Sequence, residues 1–412
     1  MSTRSIGIWL VGAAGSVATT TAVALGSLAR GGVSSVGLTT GLEPFARLDL
    51  PAWDAIAIGG HEIRDVTVSG EARRLAGVPA PTPHEGFLPA ELVEACSKDL
   101  AAVDRRIRPG TITGAGATIA RLAAASIPKD EPQAAACRRL QTDIEQFADD
   151  ERLEHVIVVN VASTEPSIGS ERLLPEDWPS LERRIEDPTC QLPASTLYAI
   201  AALKAGADFI NFTPSLGSQP PAVDDLARRQ GLRHMGCDGK TGETLMKSVL
   251  APMFARRNLE VMSWVGHNIF GNLDGRVLDD PTNKATKVHS KDHLLAQMLP
   301  NRPQTHVSIE LIESLGEWKT AWDHIHFRGL LGVPMTLQFT WQGCDSILAA
   351  PLVLDLVRFT DLARRRGHVG QMPFLASFFK SPYGVDEQAF DRQFTMLERW
   401  ASKGQQTMSS EE

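Results

Sequence analysis

The chain is poor in cysteine, has no excess of basic residues and contains no long apolar segment. Only 5 of its 412 residues are cysteines, and they show neither a CxxC pair nor a Cys/His metal spacing, which argues against a disulfide framework and a structural zinc site. A formal net charge of −8 without a long basic stripe argues against a nucleic-acid partner. No uninterrupted apolar run approaches the roughly 20 residues of a transmembrane helix. We therefore expect a cytoplasmic protein with no nucleic-acid partner and no membrane segment.

The composition is that of a globular enzyme. Hydrophobic residues make up 43% of the chain and charged residues 22%, and 412 residues suffice for two or more domains, each with its own core. Cys237 and Cys344 each adjoin an aspartate, but no Cys/His pair accompanies them. We expect the cysteines to be small buried residues rather than reactive thiols.

The N-terminal region predicts a buried strand that runs into a turn of small residues. Residues 5–11 are rich in Ile, Leu, Val and Trp, and an Ala/Val/Leu helix follows the turn Gly12-Ala13-Ala14-Gly15-Ser16-Val17. This order is the opening of a dinucleotide-binding fold, in which the pyrophosphate lies at the helix N-terminus. The loop is not a strict GxGxxG, because Ala14 and Ala18 stand where glycine is commoner. A close-packed turn in another kind of α/β domain is the alternative.

Polar residues follow three further strand candidates. These candidates are residues 55–58, the continuous apolar run 156–161 and residues 209–214. Ligands of open parallel sheets bind at the carboxyl ends of the strands. Each polar residue alone is more commonly a turn residue or a helix cap, but their repetition favours a site. The residues concerned are Glu62, Ser163, Thr164, Glu165, Asn211 and Thr213.

The pattern along the chain predicts two domains. Residues 65–150 are rich in Pro and Arg and are expected to form an insertion that covers the sheet edge. From about 246 the pattern changes to strands at 261–265, 307–312 and 334–341 with a helix near 287–299, and an apolar helix at 347–359 then returns to the first domain. We predict an α/β protein with a Rossmann-like domain over 1–245 and 346–412, interrupted by an α+β domain over 246–345.

The densest group of chemically useful residues lies between Gly236 and Ser248. An acid, lysines, hydroxyls and glycines precede an apolar-periodic helix there. Glycine-rich turns leave backbone N–H groups open, and a helix N-terminus adds partial positive charge, so the segment predicts a phosphate cradle. An ordinary capped helix start, with Thr241 or Asp238 as the cap, is the alternative.

Several lysines could carry acid–base chemistry. Lys284, Lys287 and Lys291 share one face of a helix, although most such faces are merely solvated. Lys319 follows a Gly-Glu-Trp turn, and Lys380 ends a strongly apolar run. Partial desolvation at such a position lowers a lysine pKa and suits proton transfer, whereas extension of the side chain to the surface is the ordinary outcome.

Together these motifs resemble the inositol-3-phosphate synthase family, and most closely its shorter archaeal and bacterial branch. The resemblance follows the same order along nearly the whole chain. The motifs that carry it are Gly-Lys-Thr-Gly-Glu-Thr-x-x-Lys at 239–247, Asn-x-x-Gly-Asn-x-Asp-Gly at 268–275, Lys-x-x-x-Lys at 287–291, Val-Ala-Ser-Thr-Glu-Pro at 161–166, Gly-Glu-Trp-Lys at 316–319, Asp-Ser-x-x-Ala-Ala-Pro at 345–351 and Phe-Lys-Ser-Pro at 379–382.

The resemblance implies that NAD is held through a closed redox cycle. Glucose 6-phosphate would be oxidised at C5, enolised, closed by an intramolecular aldol reaction and reduced. Lys287 and Lys319 would stabilise or protonate the oxygen at C5, and Lys380 would assist the C1 aldehyde oxygen. Asn268 and Asp274 would complete the catalytic set beside the substrate.

The resemblance also implies two binding sets. The substrate phosphate would be held by Lys240, Thr241, Gly242, Glu243, Thr244 and Lys291. The cofactor would be held by Gly12, Ala13, Ala14, Gly15, Ser16, Val17, Ser163, Thr164, Asn211, Asp238 and Asp345. The last two acids would also orient the catalytic lysines.

A homotetramer built by the inserted domain is a further implication, and so is a sugar phosphate as the small-molecule partner. Some archaeal relatives need a divalent cation, and this chain has acids but no defined ligand spacing for one. His267 stands where the family usually has Tyr, which leaves open another hexose phosphate such as fructose 6-phosphate. A simple dehydrogenase that releases NADH is the remaining alternative from a different reaction class, and a catalytically dead NAD-binding protein is disfavoured by the matched lysines.

Overall fold

The computed structural model describes residues 5–77, 86–169, 174–187, 189–278 and 295–406. The strands are β1 (Ile6–Val11), β2 (Ile56–Glu62), β3 (Ile107–Pro109), β4 (His155–Asn160), β5 (Asp208–Asn211), β6 (Arg233–Gly236), β7 (Glu260–Phe270), β8 (Gln304–Leu311), β9 (Trp318–Arg328), β10 (Pro334–Cys344) and β11 (Gly370–Gln371). The helices are α1 (Ser16–Ala29), α2 (Glu43–Ala46), α3 (Val68–Leu75), α4 (Ala90–Ala95), α5 (Ser97–Arg105), α6 (Ala117–Ala120), α7 (Gln133–Glu151), α8 (Trp178–Ile185), α9 (Ala194–Lys204), α10 (Pro221–Arg229), α11 (Gly242–Arg256), α12 (Leu273–Leu278), α13 (Asp345–Arg365) and α14 (Phe390–Gln406).

The first sheet has seven parallel strands in the order β11-β6-β5-β4-β1-β2-β3. The central strands β1 and β4 are largely apolar because helices cover both faces: Ile8 and Ile157 face one core, whereas Trp9 and Val158 face the other. The strand order reverses on either side of β1, and the crevice between β1 and β4 is where such sheets bind ligands. The predicted Rossmann-like fold is confirmed.

The second sheet is mixed and has the order β10-β9-β7-β8. Strand β9 runs antiparallel to both of its neighbours, and β7 and β8 are parallel. Helix α11 leads from the first sheet into the second, and α13 leads back. The division into domains at 245/246 and 345/346 stays a prediction.

Several sequence expectations differ from the structure. The segment 65–150, predicted as an insertion that covers the sheet edge, also contributes β3, which pairs with β2 and forms that edge. A strand of three residues is too short to show a period of two. The sequence did not predict strand β6, because the strand contains polar residues. Its Arg233 is buried, and Nη2 of Arg233 lies 2.7 Å from Oδ1 of Asp208. Most of the helix predicted near 287–299 lies outside the described residues.

The cysteine expectation is confirmed. All five cysteines are buried and free. Burial raises the pKa of the Cys237 thiol to about 12 and that of Cys344 to about 11, so neither forms a thiolate near neutral pH. Among the helices of the described segments, none combines the length and the apolar character needed to cross a membrane.

Candidate active site

The turn after β1 is tied to the end of β2 by backbone hydrogen bonds. The N–H groups of Gly12 and Ala13 both donate to the carbonyl of His61, at 2.9 and 3.0 Å. Gly12 has φ +81, and a Cβ there would lie 3.0 Å from Cα of Ala162, so this position requires glycine. Gly15 begins α1 without a side-chain cap, which leaves the helix N-terminus open towards the crevice. The N–H groups of the first turn of α1 therefore fit the pyrophosphate of a dinucleotide.

A cavity of about 580 Å³ runs along the carboxyl ends of the strands from this turn to the second sheet. Its wall gathers predicted residues from segments that are far apart in the sequence. Those on the wall are Gly12, Gly15, Ser16, Val17, Ser163, Thr164, Asp238, Thr241, Asp274, Asp345 and Lys380. The cavity thus joins the predicted cofactor loop to one of the predicted catalytic lysines.

Two lysine–aspartate pairs adjoin the cavity, whose wall includes Asp238, Lys380 and Asp345. Lys380 Nζ lies 2.9 Å from Asp238 Oδ1, and Lys319 Nζ lies 3.0 Å from Asp345 Oδ2. Lys319 also lies over the ring of Phe270, a wall residue, with Nζ 5.5 Å from the ring centre. Both acids therefore contact lysines, as the resemblance implied, and each fixes the position of an ammonium group.

Backbone hydrogen bonds bring Lys380 and Asp238 together. The N–H of Lys380 donates to the carbonyl of Asp238 at 2.7 Å, and the N–H of Lys240 donates to that of Phe378 at 2.8 Å. Two segments that are about 140 residues apart therefore pair as a short antiparallel ladder around Gly239 and Phe379. This arrangement places the predicted phosphate cradle beside Lys380.

Lys240 points away from the cavity. Its Nζ donates to Oε1 of Gln393 in a buried position. Burial, together with the charge of Lys380, lowers the pKa of Lys240 to about 7. An ammonium with one neutral acceptor in the interior is not placed to hold a phosphate in the cavity. Its predicted role as a phosphate ligand has no geometric support.

Glu243 also points into the interior. Its Oε1 lies 2.6 Å from Nζ of Lys247, and its Oε2 accepts a hydrogen bond from Asn268 Nδ2 at 2.8 Å. Asp323, which accepts from Trp264 Nε1 at 2.6 Å, lies 4.0 Å from the same ammonium. A Cβ at Gly266 would come within 2.6 Å of Glu243 Oε1. The carboxylate of Glu243 thus anchors α11 in the interior. At the start of this helix, Thr241 lies on the cavity wall.

Several predicted site residues are not among the residues that line the cavity. Asn211 is buried and donates to the carbonyl of Ser215 at 2.6 Å and to the hydroxyl of Tyr383 at 3.1 Å, so it supports the loops below the cavity. Residues of the predicted sets that do not line the cavity are Ala13, Ala14, Asn211, Lys240, Gly242, Glu243, Thr244, Asn268 and Lys319. Lys287 and Lys291, with Lys284, lie outside the described residues, and their roles stay predictions.

Glu165 is a buried carboxylate on the cavity wall. It accepts hydrogen bonds from the backbone N–H of Ser195 at 2.9 Å and from its hydroxyl at 2.5 Å. Ser195 lies in the first turn of α9, so Glu165 anchors the start of that helix. Burial raises the pKa of Glu165 to about 7, although the two hydrogen bonds oppose the shift. The strand-end carboxylate is therefore a helix anchor that titrates near neutral pH.

Sequence reasoning missed three charged residues of this region. Arg64 and Arg74 line the cavity beside β2 and α3, and Lys247 holds Glu243 in the interior. The i, i+4 spacing of Glu243 and Lys247 was a usable signal for their ion pair. Within the described ranges, no group of three or more His, Cys, Asp or Glu side chains could hold a metal ion.

Comparisons with known proteins agree with this architecture. The NAD-binding family model of myo-inositol-1-phosphate synthase matches residues 25–401. Inositol-3-phosphate synthase 1 of Bacteroides thetaiotaomicron is 32% identical over 92% of this chain and 90% of that protein. The human inositol-3-phosphate synthase 1 is also 32% identical, over 55% of this chain and 42% of that protein.

Solved structures share the fold. The inositol-3-phosphate synthase of Caenorhabditis elegans superposes with a TM-score of 0.82 at 23% identity, covering 97% of this chain and 86% of that one. A myo-inositol-1-phosphate synthase-related protein from Thermotoga maritima gives 0.76 at 22% identity, covering 97% and 99%. With the family model matched over most of the chain and the Bacteroides protein matched nearly end to end, the chain belongs to the myo-inositol-1-phosphate synthase family of enzymes.

Proposed function

We propose that the protein converts glucose 6-phosphate into 1L-myo-inositol 1-phosphate. The observation that carries this proposal is one cavity whose wall includes the dinucleotide loop, the pair of Asp238 and Lys380, and Asp345, which in turn contacts Lys319. Membership of the family supports the same reaction. NAD, when bound, supplies the oxidation at C5 and the closing reduction. In this proposal Gly12–Val17 hold its pyrophosphate, with Ser163, Thr164, Asp238 and Asp345 further along the cavity.

The lysines stabilise the negative charge that develops in the intervening steps. Enolisation and aldol closure each place charge on a carbonyl oxygen, and a fixed ammonium stabilises that charge without reorganisation. Asp345 positions Lys319 for the oxygen at C5, and Asp238 positions Lys380 for the oxygen at C1. Because Lys380 and Asp238 are nearly buried, the interaction with the oxyanion is weakly screened.

The start of α11 is proposed to hold the substrate phosphate. Thr241 lies on the cavity wall, and α11 begins at Gly242 without a side-chain cap from Thr241. Open N–H groups and the helix dipole attract an anion there. Lys291 would add a positive charge to the same phosphate, and Asp274 also lies on the cavity wall.

His267 does not support a different substrate. Neighbouring side chains of a strand point to opposite faces, and β7 places Asn268 on the buried face and His267 on the exposed face. The ring Nδ1 of His267 lies 2.7 Å from Ser308 Oγ on that outer face. Fructose 6-phosphate therefore has no structural observation in its favour and serves as the comparison substrate.

Product analysis tests the proposal. Purified protein with NAD is incubated separately with glucose 6-phosphate and fructose 6-phosphate, and products are followed by NMR and NADH by absorbance. We expect an inositol phosphate from glucose 6-phosphate without accumulation of NADH. NADH formed in step with an oxidised sugar would identify a simple dehydrogenase. Parallel assays with EDTA test the divalent cation.

Two variants test the lysine roles. Lys319→Ala and Lys380→Ala should each lower kcat on the order of a hundredfold or more, because each removes one preorganised donor. Binding of NAD, measured by titration, should be unchanged. Lys204→Ala is the matched control, because it breaks a surface ion pair with Glu182. A loss of activity in the control as large as in Lys380→Ala would contradict the assignment.

The homotetramer belongs to the same proposal. Strand β10 is an open edge of the second sheet, and the turn before it exposes Leu330 and Leu331 by 91% and 89%. Open edges with apolar neighbours favour pairing with another chain. Analytical ultracentrifugation should detect a tetramer, and a monomer at micromolar concentration would contradict it.

A further inference from the structure

An acidic residue at the end of the second strand reads the adenosine ribose in many dinucleotide folds. It accepts a hydrogen bond from the 2′-hydroxyl, and it repels the 2′-phosphate of NADP, which is one basis of NAD specificity. In this chain Glu62 ends β2 and lies on the wall of the cavity. The sheet order places it on the β1–β2–β3 side, away from Asp238, which follows β6 on the other side of the sheet.

The carboxylate of Glu62 is already saturated with donors. Its Oε2 accepts from the N–H of Ala14 at 2.9 Å, and its Oε1 accepts from the N–H groups of Ile63 and Arg64 at 3.0 and 3.1 Å. The guanidinium of Arg64 adds two more hydrogen bonds, Nε to Oε1 and Nη2 to Oε2, both at 3.1 Å. A carboxylate offers about four acceptor positions. Five donors leave no capacity for a ribose hydroxyl.

Arg64 is the group that a ribose would meet instead. Its side chain is 19% exposed and lies on the cavity wall. Two of its five N–H groups are used on Glu62, and the other three have no hydrogen-bond partner among the described residues. Guanidinium N–H groups donate to both hydroxyl and phosphate oxygens, and their paired geometry suits phosphate.

The neighbouring arginine does not compete for this role. Nη2 of Arg74 donates to Glu71 and to Glu317, each at 2.7 Å, so its guanidinium is held between two carboxylates. Arg74 contacts two carboxylates and uses three of its five N–H groups on them, whereas Arg64 contacts one carboxylate and uses two. The bidentate contact also neutralises Glu62, which removes the repulsion that would exclude a 2′-phosphate.

We infer that Arg64, rather than Glu62, reads the adenosine ribose, and that the protein binds NADP about as tightly as NAD. This inference rests on the proposed function only in placing a dinucleotide in the cavity. Arg64 is a specificity-determining residue for the cofactor, and the turnover chemistry does not depend on it.

Direct titration of NAD and NADP into the full chain, freed of copurified nucleotide, tests the inference. In the wild type, the two dissociation constants should agree within about tenfold, since charge-assisted hydrogen bonds to the 2′-phosphate replace those to a hydroxyl. Arg64→Ala should weaken NADP by about 10- to 100-fold, the effect of losing charge-assisted hydrogen bonds, and NAD by less. Retained NAD binding would show that the Arg64→Ala variant is folded. The Arg64→Lys variant should bind NADP with an affinity between those of the wild type and Arg64→Ala.

Arg73→Ala is the matched control, because Arg73 is an exposed arginine that is not on the described wall. It should change neither dissociation constant. NADP bound more than about tenfold weaker than NAD by the wild type would overturn the inference. So would an Arg64→Ala variant with an unchanged ratio. A chain that cyclises glucose 6-phosphate with NAD but excludes NADP would refute this inference alone, whereas one that binds both but does not cyclise would refute the proposed function alone.

Discussion

Replacing Lys247 with methionine removes the cation from a buried cluster of charges. In the wild type its Nζ lies 2.6 Å from Glu243 Oε1 and 4.0 Å from Asp323 Oδ1, and the side chains of Lys247 and Glu243 are each 2% exposed. The variant leaves two carboxylates in the interior without this ammonium. Breaking a buried ion pair from one side costs about 3–5 kcal/mol, because the remaining charge keeps its desolvation penalty. We expect a loss of unfolding free energy of that size.

Urea unfolding followed by tryptophan fluorescence measures this loss, and Trp264 donates directly to Asp323 within the cluster. The double variant Lys247→Met/Glu243→Gln also removes one of the two carboxylates that lose their cation, so it should be more stable than Lys247→Met alone. Arg47→Met is the control, because Arg47 forms an ion pair of the same i, i+4 spacing with both side chains 80% exposed. It should change stability little. A Lys247→Met variant within about 1 kcal/mol of the wild type, or a double variant less stable than the single one, would refute the reasoning.

Three further outcomes are expected. Lys287→Ala should lower kcat on the order of a hundredfold or more, whereas Lys284→Ala should leave it unchanged, and equal losses would make this lysine face structural. Lys291→Ala should mainly raise KM in steady-state kinetics, since a charge that holds the phosphate binds ground state and transition state alike, and a pure fall in kcat would oppose that role. Because burial raises the pKa of Glu165 from its ordinary 4.5 to about 7, the folded protein retains a proton there that the unfolded chain releases. Stability should therefore fall as pH rises from about 4.5 through 7, by up to about 3 kcal/mol, and Glu165→Gln should remove that slope in urea unfolding at several pH values. A slope that persists in Glu165→Gln would show that another group titrates.

The Rossmann-like sheet was predictable because its signals are local. Apolar runs mark the central strands, and Gly12 with its neighbours marks the turn into α1. Strands β3 and β6 carry no such signal. Strand β3 has only three residues, and β6 contains the polar residues Arg233 and His234 although it is buried. Their place in the sheet depends on tertiary contacts such as the ion pair between Arg233 and Asp208.

The candidate site was less predictable from the residues alone. The pair of Asp238 and Lys380 spans two segments far apart in the sequence, and only the family resemblance placed them together. The direction of a side chain was a second limit. Glu243 lies within the predicted phosphate cradle, but Lys247 and Asn268 hold its carboxylate in the interior. Likewise, the sequence marked Glu62 as a strand-end candidate, but it gave no signal for the bidentate contact of Glu62 with Arg64.

The fate of deuterium placed at C5 of glucose 6-phosphate tests the closed redox cycle most directly. In that cycle the hydride removed from C5 returns to the same substrate molecule before the product leaves. With NAD present in less than stoichiometric amount, we predict an inositol phosphate that retains deuterium at the carbon derived from C5, as observed by NMR. Deuterium lost to solvent, or carried away on accumulating NADH beside an oxidised sugar phosphate, would contradict the account.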